Sequence, residues 1–185
     1  MTPEFNIEKV VQLPVVDIIG RELPLGDYLY DSDTLISFVR HFGCISCAEY
    51  VSKLSPYINE IHSKGVNLLV VGNGKYKFIK EFIDARDLEN KNITVLTDPT
   101  LALHQEFGLK KSIGSVVSPT SFKNSMRAFK EGFRNKFFRG SDFQQAGIVF
   151  LDKEKNVKYY FRSEAMGDNP LGEGVLKIVN DVLNE

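Results

Sequence analysis

The chain contains no tryptophan and only two cysteines, and its charges nearly cancel. Among 185 residues, 23 lysines and arginines stand against 24 aspartates and glutamates, which gives a formal net charge of -1. A near-neutral balance gives no general attraction to nucleic acid or to anionic membranes, so we expect neither as a partner. No apolar run approaches the roughly 20 residues needed to cross a bilayer, and we therefore expect no membrane span.

A secretory signal is also missing from the start of the sequence. Residues Met1 to Phe5 include neither a basic start nor the beginning of an apolar core. We therefore expect a cytoplasmic protein, and in a reducing compartment a cysteine pair is more often catalytic than structural. The length fits one domain over residues 1–185.

The two cysteines, Cys44 and Cys47, follow an apolar run from Leu35 to Val39 and precede a helical pattern. A three-residue step places both sulfurs on one face of a helix's first turn, with Cα atoms about 5 Å apart, which is within disulfide range. The positive end of the helix dipole favours ionisation of the outer sulfur, that of Cys44. The pattern predicts thiol–disulfide exchange, with Cys44 as the attacking thiolate and Cys47 as the resolving partner.

Bound metals and organic cofactors have little support in the sequence. A C-x-x-C pair supplies two of the four ligands of a structural zinc site, and the three histidines, His41, His62 and His104, form no second ligand pair. A zinc shared between chains and a pair of inert buried cysteines remain alternatives. The turn Gly72-Asn73-Gly74 lacks the remaining glycines of a dinucleotide site, so no bound cofactor is expected.

Short apolar runs alternate with helical patterns along the chain, which predicts an α/β fold. A proline at position 56 predicts a kink in the helix that follows the cysteines. The last two strands are separated by a short polar loop and should form an antiparallel hairpin. The order is typical of a thioredoxin-like mixed sheet flanked by helices. A short strand and turn are predicted at 15–20, strands at 35–39, 66–71, 93–97, 147–151 and 157–161, and helices near 48–64, 76–83, 101–108 and 175–183.

An inserted helical segment near 109–142 interrupts this order. Phe122, Met126, Phe129 and Phe133 recur at helical spacing, with lysines and arginines between them. We interpret this stripe as the face of a cap helix that packs on the protein's own core, with the basic residues in water. The alternative is an amphipathic helix that faces a membrane or a partner.

The same segment returns to the sheet immediately before a predicted strand, at the edge expected to hold the cysteines. Residues 142–145 should therefore lie beside the sulfurs, where the side-chain amides of Gln144 and Gln145 can orient an oxygenated substrate. In this prediction the apolar stripe forms a lid that governs access to Cys44, and Phe137 or Phe138 forms an apolar wall.

The run from Phe38 to Val51, which reads FVRHFGCISCAEYV, resembles the peroxiredoxin-like 2 group. This is the AhpC/TSA-type branch of the thioredoxin superfamily, and it includes the prostamide/prostaglandin F synthases. Segments at 66–72, 97–111 and 138–147 follow in the order found in that group. The resemblance spans about residues 14–170 and implies a thioredoxin-like fold with thiol-dependent reductase chemistry at Cys44 and Cys47.

Typical peroxiredoxins carry Pro-x-x-x-Thr-x-x-Cys and a distant arginine, and this sequence departs from that pattern. In the alignment, Cys47 takes the peroxide-attacking position, Cys44 replaces the threonine, Arg40 replaces the proline, and Ala146 stands where the arginine would be. This alignment assigns the attack to Cys47, opposite to the helix argument. With the usual activators missing, fast peroxidase chemistry of the usual kind is not expected.

Thioredoxins give the second comparison. Their buried acid, six residues before the first cysteine, corresponds here to Phe38, and Ile45-Ser46 replaces their Gly-Pro. The inner thiol thus lacks a carboxylate as proton acceptor. We therefore expect slower thiol–disulfide exchange unless a water accepts the proton.

The resemblance leaves three functional interpretations. The first is an oxidoreductase that reduces a small oxidised substrate, of the peroxide or lipid endoperoxide class, with electrons from a thioredoxin- or glutathione-type donor. Arg40 would bind substrate or add positive potential near the sulfurs. The second is a prostaglandin F synthase-like reductase, and the third is a non-catalytic module that has kept the thioredoxin-like frame.

Overall fold

A computed structural model describes residues 3–109, 111–112, 118–135, 140–141 and 143–184. The helices are α1 (Ile7–Gln12), α2 (Ile45–Leu54), α3 (Ile58–Ser63), α4 (Lys77–Asp84), α5 (Ala102–Glu106), α6 (Pro119–Lys130) and α7 (Gly172–Leu183). The strands are β1 (Pro14–Val16), β2 (Glu22–Pro24), β3 (Thr34–Phe38), β4 (Asn67–Gly72), β5 (Thr94–Thr97), β6 (Gly147–Leu151) and β7 (Val157–Arg162). Within these ranges no helix has the length and apolarity needed to cross a membrane.

The strands form a mixed sheet in the order β2-β1-β5-β4-β3-β6-β7. At its centre β3, β4 and β5 run parallel, while β6 pairs antiparallel with β3 and then with β7. The predicted hairpin of the last two strands is therefore confirmed. So is the predicted α/β, thioredoxin-like mixed sheet with helices on its faces.

Helices cover both faces of the sheet, which explains why β3 and β4 read as continuous apolar runs. All five residues of β3 are buried. Neighbouring side chains enter different cores: Leu35 joins a core cluster with both cysteines, while Ile36 joins a second cluster with the residues near α1. This alternation follows from the two-residue period of a strand.

The helix after the cysteines is interrupted at Pro56, where the sequence predicted a kink. The α-helical part ends at Leu54, a 3₁₀ turn spans Ser55–Tyr57, and α3 begins at Ile58. Pro56 donates no backbone hydrogen bond and its ring crowds the preceding turn, which accounts for the break.

The sequence did not reveal α1 or establish β2 as a strand. The helix α1 has six residues and only Val10 is buried, so it shows almost no apolar periodicity. Its beginning is fixed by Asn6, whose side-chain oxygen accepts a hydrogen bond from the backbone N–H of Lys9 at 3.0 Å.

Helix α6 confirms a helix in the inserted segment, but our interpretation of its packing is wrong. Phe122 and Phe129 are 70% and 51% exposed, whereas Ser121, Asn124 and Ala128 are buried. The apolar stripe faces outward because the opposite face pairs with a buried carboxylate on α2, as described below.

Candidate active site

The cysteine pair lies where the central strand β3 passes into α2. The backbone N–H of Val39 donates to the carbonyl of Val71 at 2.9 Å, which fixes the chain as it leaves the sheet. Cys44 is the N-cap residue of α2, and Cys47 lies in its first turn, as the spacing predicted. Both are free thiols, 2% and 4% exposed.

The two thiols have opposite acidity. A hydrogen bond from the Cys47 thiol, with help from the nearby charges of Arg40 and His41, lowers the pKa of Cys44 to about 5, although burial acts against this. Burial raises the pKa of Cys47 well above its usual value, and the neighbouring Cys44 raises it further. The pair is therefore arranged as one thiolate and one thiol, with the charge on Cys44.

A pocket of about 380 Å³ opens beside Cys44. One wall comes from the loop before α2 and the start of that helix, and the other from the outward face of α6. Asn135, Phe143 and Met166 complete the lining; the other residues are Arg40, His41, Cys44, Ile45, Phe122, Ser125, Met126 and Phe129. Most of these side chains are apolar, so the sulfur of Cys44 borders a largely apolar pocket.

The position of α6 is set by an ion pair with the cysteine helix. Glu49, on α2, is fully buried, and Arg127 donates to its two carboxylate oxygens from Nε at 2.7 Å and from Nη2 at 2.9 Å. Arg127 also donates to the carbonyl of Gly167 at 3.2 Å, and Asn124 donates to that of Met166 at 2.9 Å. A buried carboxylate needs such a partner, and this requirement turns the polar face of α6 inward.

The start of α2 has a second contact with the inserted segment. The backbone N–H of Ile45 donates to the side-chain oxygen of Asn135 at 3.3 Å. The first four N–H groups of a helix have no partner within it, and the side-chain oxygen of Asn135 satisfies one of them. Neither Asn135 nor Met166 was predicted as part of the site, since both lie in irregular segments without a recognisable pattern.

The structure brings only some of the predicted substrate-binding residues to the pocket. Arg40 is 3% exposed and lines it, as does Phe143. Gln144 is 1% exposed and uses its side-chain amide to donate to the carbonyl of Leu109, while Gln145 donates to the carbonyl of Ser163 at 3.1 Å. Neither glutamine is among the described residues that line the pocket, because both amides are engaged by the backbone.

The remaining sequence predictions for this region concern the apolar stripe. Phe122, Met126 and Phe129 border the pocket from its outer side, and Phe133 follows the end of α6 and is half-buried. Phe137, Phe138 and Asp142 lie outside the described residues.

The histidines are dispersed. His41 lines the pocket, His62 lies on α3, and His104 is fully buried with its Nδ1 2.8 Å from a carboxylate oxygen of Asp98. In the described part of the chain, no three His, Cys, Asp or Glu side chains cluster in a way that could hold a metal ion.

Comparison with known proteins relates this chain to a family. The chain is 25% identical over 172 residues to the thioredoxin-like protein AAED1, chloroplastic, of Arabidopsis thaliana, which covers 88% of this chain and 68% of that protein. It is 26% identical over 180 residues to peroxiredoxin-like 2C of Homo sapiens, with 92% and 78% covered. Peroxiredoxin Q of Xanthomonas campestris superposes with a TM-score of 0.68 at 13% identity, over 98% of this chain and 96% of that chain, which supports the fold.

The sequence model of the AhpC/TSA antioxidant enzyme family matches residues 53–165, more than half of the chain, starting in α2 after both cysteines. Together with the relatives named above, this match confirms the resemblance to the peroxiredoxin-like 2 group. The chain therefore belongs to the AhpC/TSA antioxidant enzyme family and is a thiol-dependent oxidoreductase of the peroxide type.

Proposed function

We propose that Cys44 and Cys47 are the redox-active dithiol of this enzyme, with Cys44 attacking the substrate and Cys47 resolving the product. The observation that carries the proposal is the asymmetry of the pair. Cys44 has its pKa lowered to about 5 and lines the pocket, whereas Cys47 keeps its proton and does not line that pocket. The thiolate is the nucleophile in such reactions, so the ionised sulfur that lines the pocket attacks first.

The reaction has two chemical steps before the enzyme is regenerated. The Cys44 thiolate attacks the outer oxygen of a hydroperoxide, the O–O bond breaks, and the alkoxide leaves and takes up a proton as the alcohol. The resulting sulfenic acid on Cys44 is then attacked by Cys47, which forms the disulfide and releases one water. Two thiol equivalents from a donor return the disulfide to the dithiol, and we propose a thioredoxin- or glutathione-type donor in the cytoplasm.

The pocket favours an apolar substrate. Three large side chains of α6, those of Phe122, Met126 and Phe129, face the recess, and burial of apolar surface against them would hold an organic peroxide or a lipid endoperoxide better than hydrogen peroxide. Arg40 and His41 add positive potential beside the sulfur, where the leaving oxygen becomes negative. Gln144 and Gln145 have no part in this proposal because their amides are engaged elsewhere.

Trapping the first intermediate tests the assignment of roles. The Cys47→Ser variant is treated with one equivalent of cumene hydroperoxide in the presence of dimedone, and the Cys44→Ser variant is the matched control. We expect dimedone on Cys44 in the first variant and little label in the second, and wild-type protein should lose two free thiols per peroxide. Label on Cys47 in the Cys44→Ser variant, at the rate seen for Cys44, would reverse the roles. If both cysteines of the wild-type protein stay reduced with cumene hydroperoxide and with hydrogen peroxide, the dithiol does not reduce peroxides.

A further inference from the structure

A second, much smaller cavity lies on the other side of the cysteine pair, against Cys47. Its volume is about 10 Å³, and its lining includes Arg40, Ser46, Cys47 and Asn169 together with apolar side chains. A volume of this size corresponds to about one water molecule, and water occupies such a space when two to four polar groups surround it.

Three polar atoms from the lining residues have no hydrogen-bond partner among the residues that the structure describes. They are Nε of Arg40, Oγ of Ser46 and Oδ1 of Asn169, on residues 3%, 4% and 9% exposed. The first is a donor, the last an acceptor, and the hydroxyl can act as either. Buried polar groups are almost always satisfied, so three such atoms around one cavity point to a common partner.

Cys47 also needs a group that takes its proton. The thiol is buried, and its sulfur already accepts a hydrogen bond from the backbone N–H of Arg40 at 3.3 Å. No carboxylate among the described residues lines this cavity. The charged and titratable groups of the surrounding elements are Arg40, His41 and Cys44 before α2, Glu49, Tyr50 and Lys53 on α2, Lys158, Tyr159, Tyr160 and Arg162 on β7, and Glu164 and Asp168 in the following loop.

Three of these groups, Glu49, Tyr50 and Asp168, already have hydrogen-bond partners. Both oxygens of Glu49 accept from Arg127, and the hydroxyl of Tyr50 is hydrogen-bonded to Ser37 at 2.7 Å. Asp168 accepts from the hydroxyl of Ser163 at 2.6 Å and from backbone N–H groups of its own loop. The role of a general base at Cys47 is therefore open to a water in the cavity.

We propose that Arg40, Ser46 and Asn169 hold a single water beside Cys47, and that this water accepts the thiol proton when Cys47 attacks Cys44. The water accepts from Nε–H of Arg40 and donates to the oxygens of Asn169 and Ser46. In the reduced protein the Cys47 thiol donates to the Cys44 thiolate. Once Cys44 is a sulfenic acid that thiolate is gone, and the S–H group turns to the remaining lone pair of the water. Arg40, Ser46 and Asn169 are positioning residues in this scheme, and the water is the base.

This inference rests on the second step of the proposed reaction, and protons and electrons balance within that step. The Cys47 thiol gives its proton to the water, and its sulfur attacks the sulfur of the Cys44 sulfenic acid. The S–O bond breaks, and the leaving hydroxide takes up the proton that the cavity water received, so the cavity water is restored and the products are the disulfide and one further water. No further oxidant or reductant is needed.

The rate of disulfide closure tests the proposal. Sulfenic acid is generated on wild-type protein, Asn169→Leu and Ser46→Ala with one equivalent of cumene hydroperoxide, and the disulfide is measured by rapid quenching and mass spectrometry between pH 5 and 9. A positioned base commonly contributes about 100-fold or more, so we expect closure at pH 7 to slow by at least about tenfold in each variant and to recover as the pH rises. Alkylation of Cys44 in the reduced variants should stay within about twofold of wild type, which separates a lost base from a damaged site.

Tyr28→Phe is the matched control, because it also removes a buried hydroxyl but lies in the other core cluster. Its closure rate should equal that of wild type. If Asn169→Leu does not fold, Ser46→Ala decides, and a high-resolution crystal structure of wild-type protein must show one water bonded to these three atoms. Unchanged closure in a folded variant, or a dry cavity, overturns the proposal. If wild-type protein forms no disulfide at all, the proposed function itself is wrong.

Discussion

The two sides of the first turn of α2 differ more than their shared C-x-x-C spacing suggests. On one side Cys44 borders an apolar pocket of about 380 Å³, and on the other Cys47 borders a cavity of about 10 Å³ whose lining includes Arg40, Ser46 and Asn169. The first can admit an organic substrate, and the second has room for no more than a water. The proposed reaction uses both environments. One sulfur must be accessible to a substrate, and the other must keep its proton until it attacks the first sulfur.

The largest effect expected from this difference is in the reactivity of the two sulfurs. At pH 7 iodoacetamide should modify Cys44 at least about 100-fold faster than Cys47, because only the thiolate reacts. The pKa of Cys44 is lowered to about 5, so its rate should be constant above pH 6 and fall about tenfold per pH unit below pH 5. Cys47 is measured in the Cys44→Ser variant. Similar rates for the two thiols, or a midpoint near pH 8.5 for Cys44, would remove the distinction between the two sides.

The next largest effect concerns the ion pair that holds the wall of the open side. Arg127→Leu leaves the carboxylate of Glu49 buried without its main partner, a change that typically costs about 3–5 kcal/mol when the pair is fully buried. The side chain of Arg127 is 38% exposed, so we expect a smaller loss, about 2 kcal/mol, in the free energy of unfolding measured with urea.

The control for this variant is Lys177→Leu, which breaks an exposed pair with Asp181 on α7. It should change stability by less than about 0.5 kcal/mol. Adding Glu49→Gln to Arg127→Leu should restore part of the loss, because the buried charge is then removed. An Arg127→Leu variant as stable as wild type would show that α6 is held in place by other contacts.

A smaller effect is expected from the apolar wall itself. Phe129→Ala should raise the KM for cumene hydroperoxide by about tenfold and leave that for hydrogen peroxide unchanged, since lost apolar contact in a pocket is worth about 1–3 kcal/mol. Ile19→Ala, which removes a side chain that is 74% exposed and does not line the pocket, is the matched control. Equal changes for both peroxides would place the organic substrate elsewhere.

The smallest expected effect is on the reduction potential of the pair. Stabilisation of the Cys44 thiolate favours the reduced form, so the potential should lie above that of thioredoxin, which is about −270 mV. Equilibration with glutathione buffers measures it, and Arg40→Met should lower the value by about 10–30 mV by removing one charge that favours the thiolate. A wild-type potential at or below that of thioredoxin would mean that ionisation of Cys44 does not control the equilibrium.

Most of the strand and helix order could be predicted from local patterns. The runs that became β3, β4 and β6 are continuous and apolar because both faces of the sheet are covered, and Pro56 marks the break between α2 and α3. Elements with little buried surface gave no such signal: α1 buries only Val10, and the burial of a two-turn segment cannot be recognised from periodicity alone.

The packing of α6 shows why periodicity can mislead. An apolar stripe at helical spacing normally faces the core, and here it borders the pocket beside Cys44 while Ser121, Asn124 and Ala128 are buried. The deciding contact is the pair between Arg127 and Glu49, which are 78 residues apart in the sequence. No local pattern contains that information.

The placement of Gln144 shows the same limit for a polar residue. Its position before β6 correctly suggested the edge of the sheet near the cysteines, since Phe143 lines the pocket. The direction of the side chain, however, is set by the backbone carbonyl of Leu109, which accepts a hydrogen bond from the amide and so holds it away from the pocket.

The sequence by itself determined the dithiol, its location at the start of a helix after a central strand, and the α/β order around it, because these depend on spacing and on short-range periodicity. The tertiary structure decided which sulfur meets the pocket, which face of α6 borders it, and how three polar atoms come to surround a cavity behind Cys47. Those features depend on the burial of charges and polar groups contributed by distant segments, and their partners are chosen only when the chain packs.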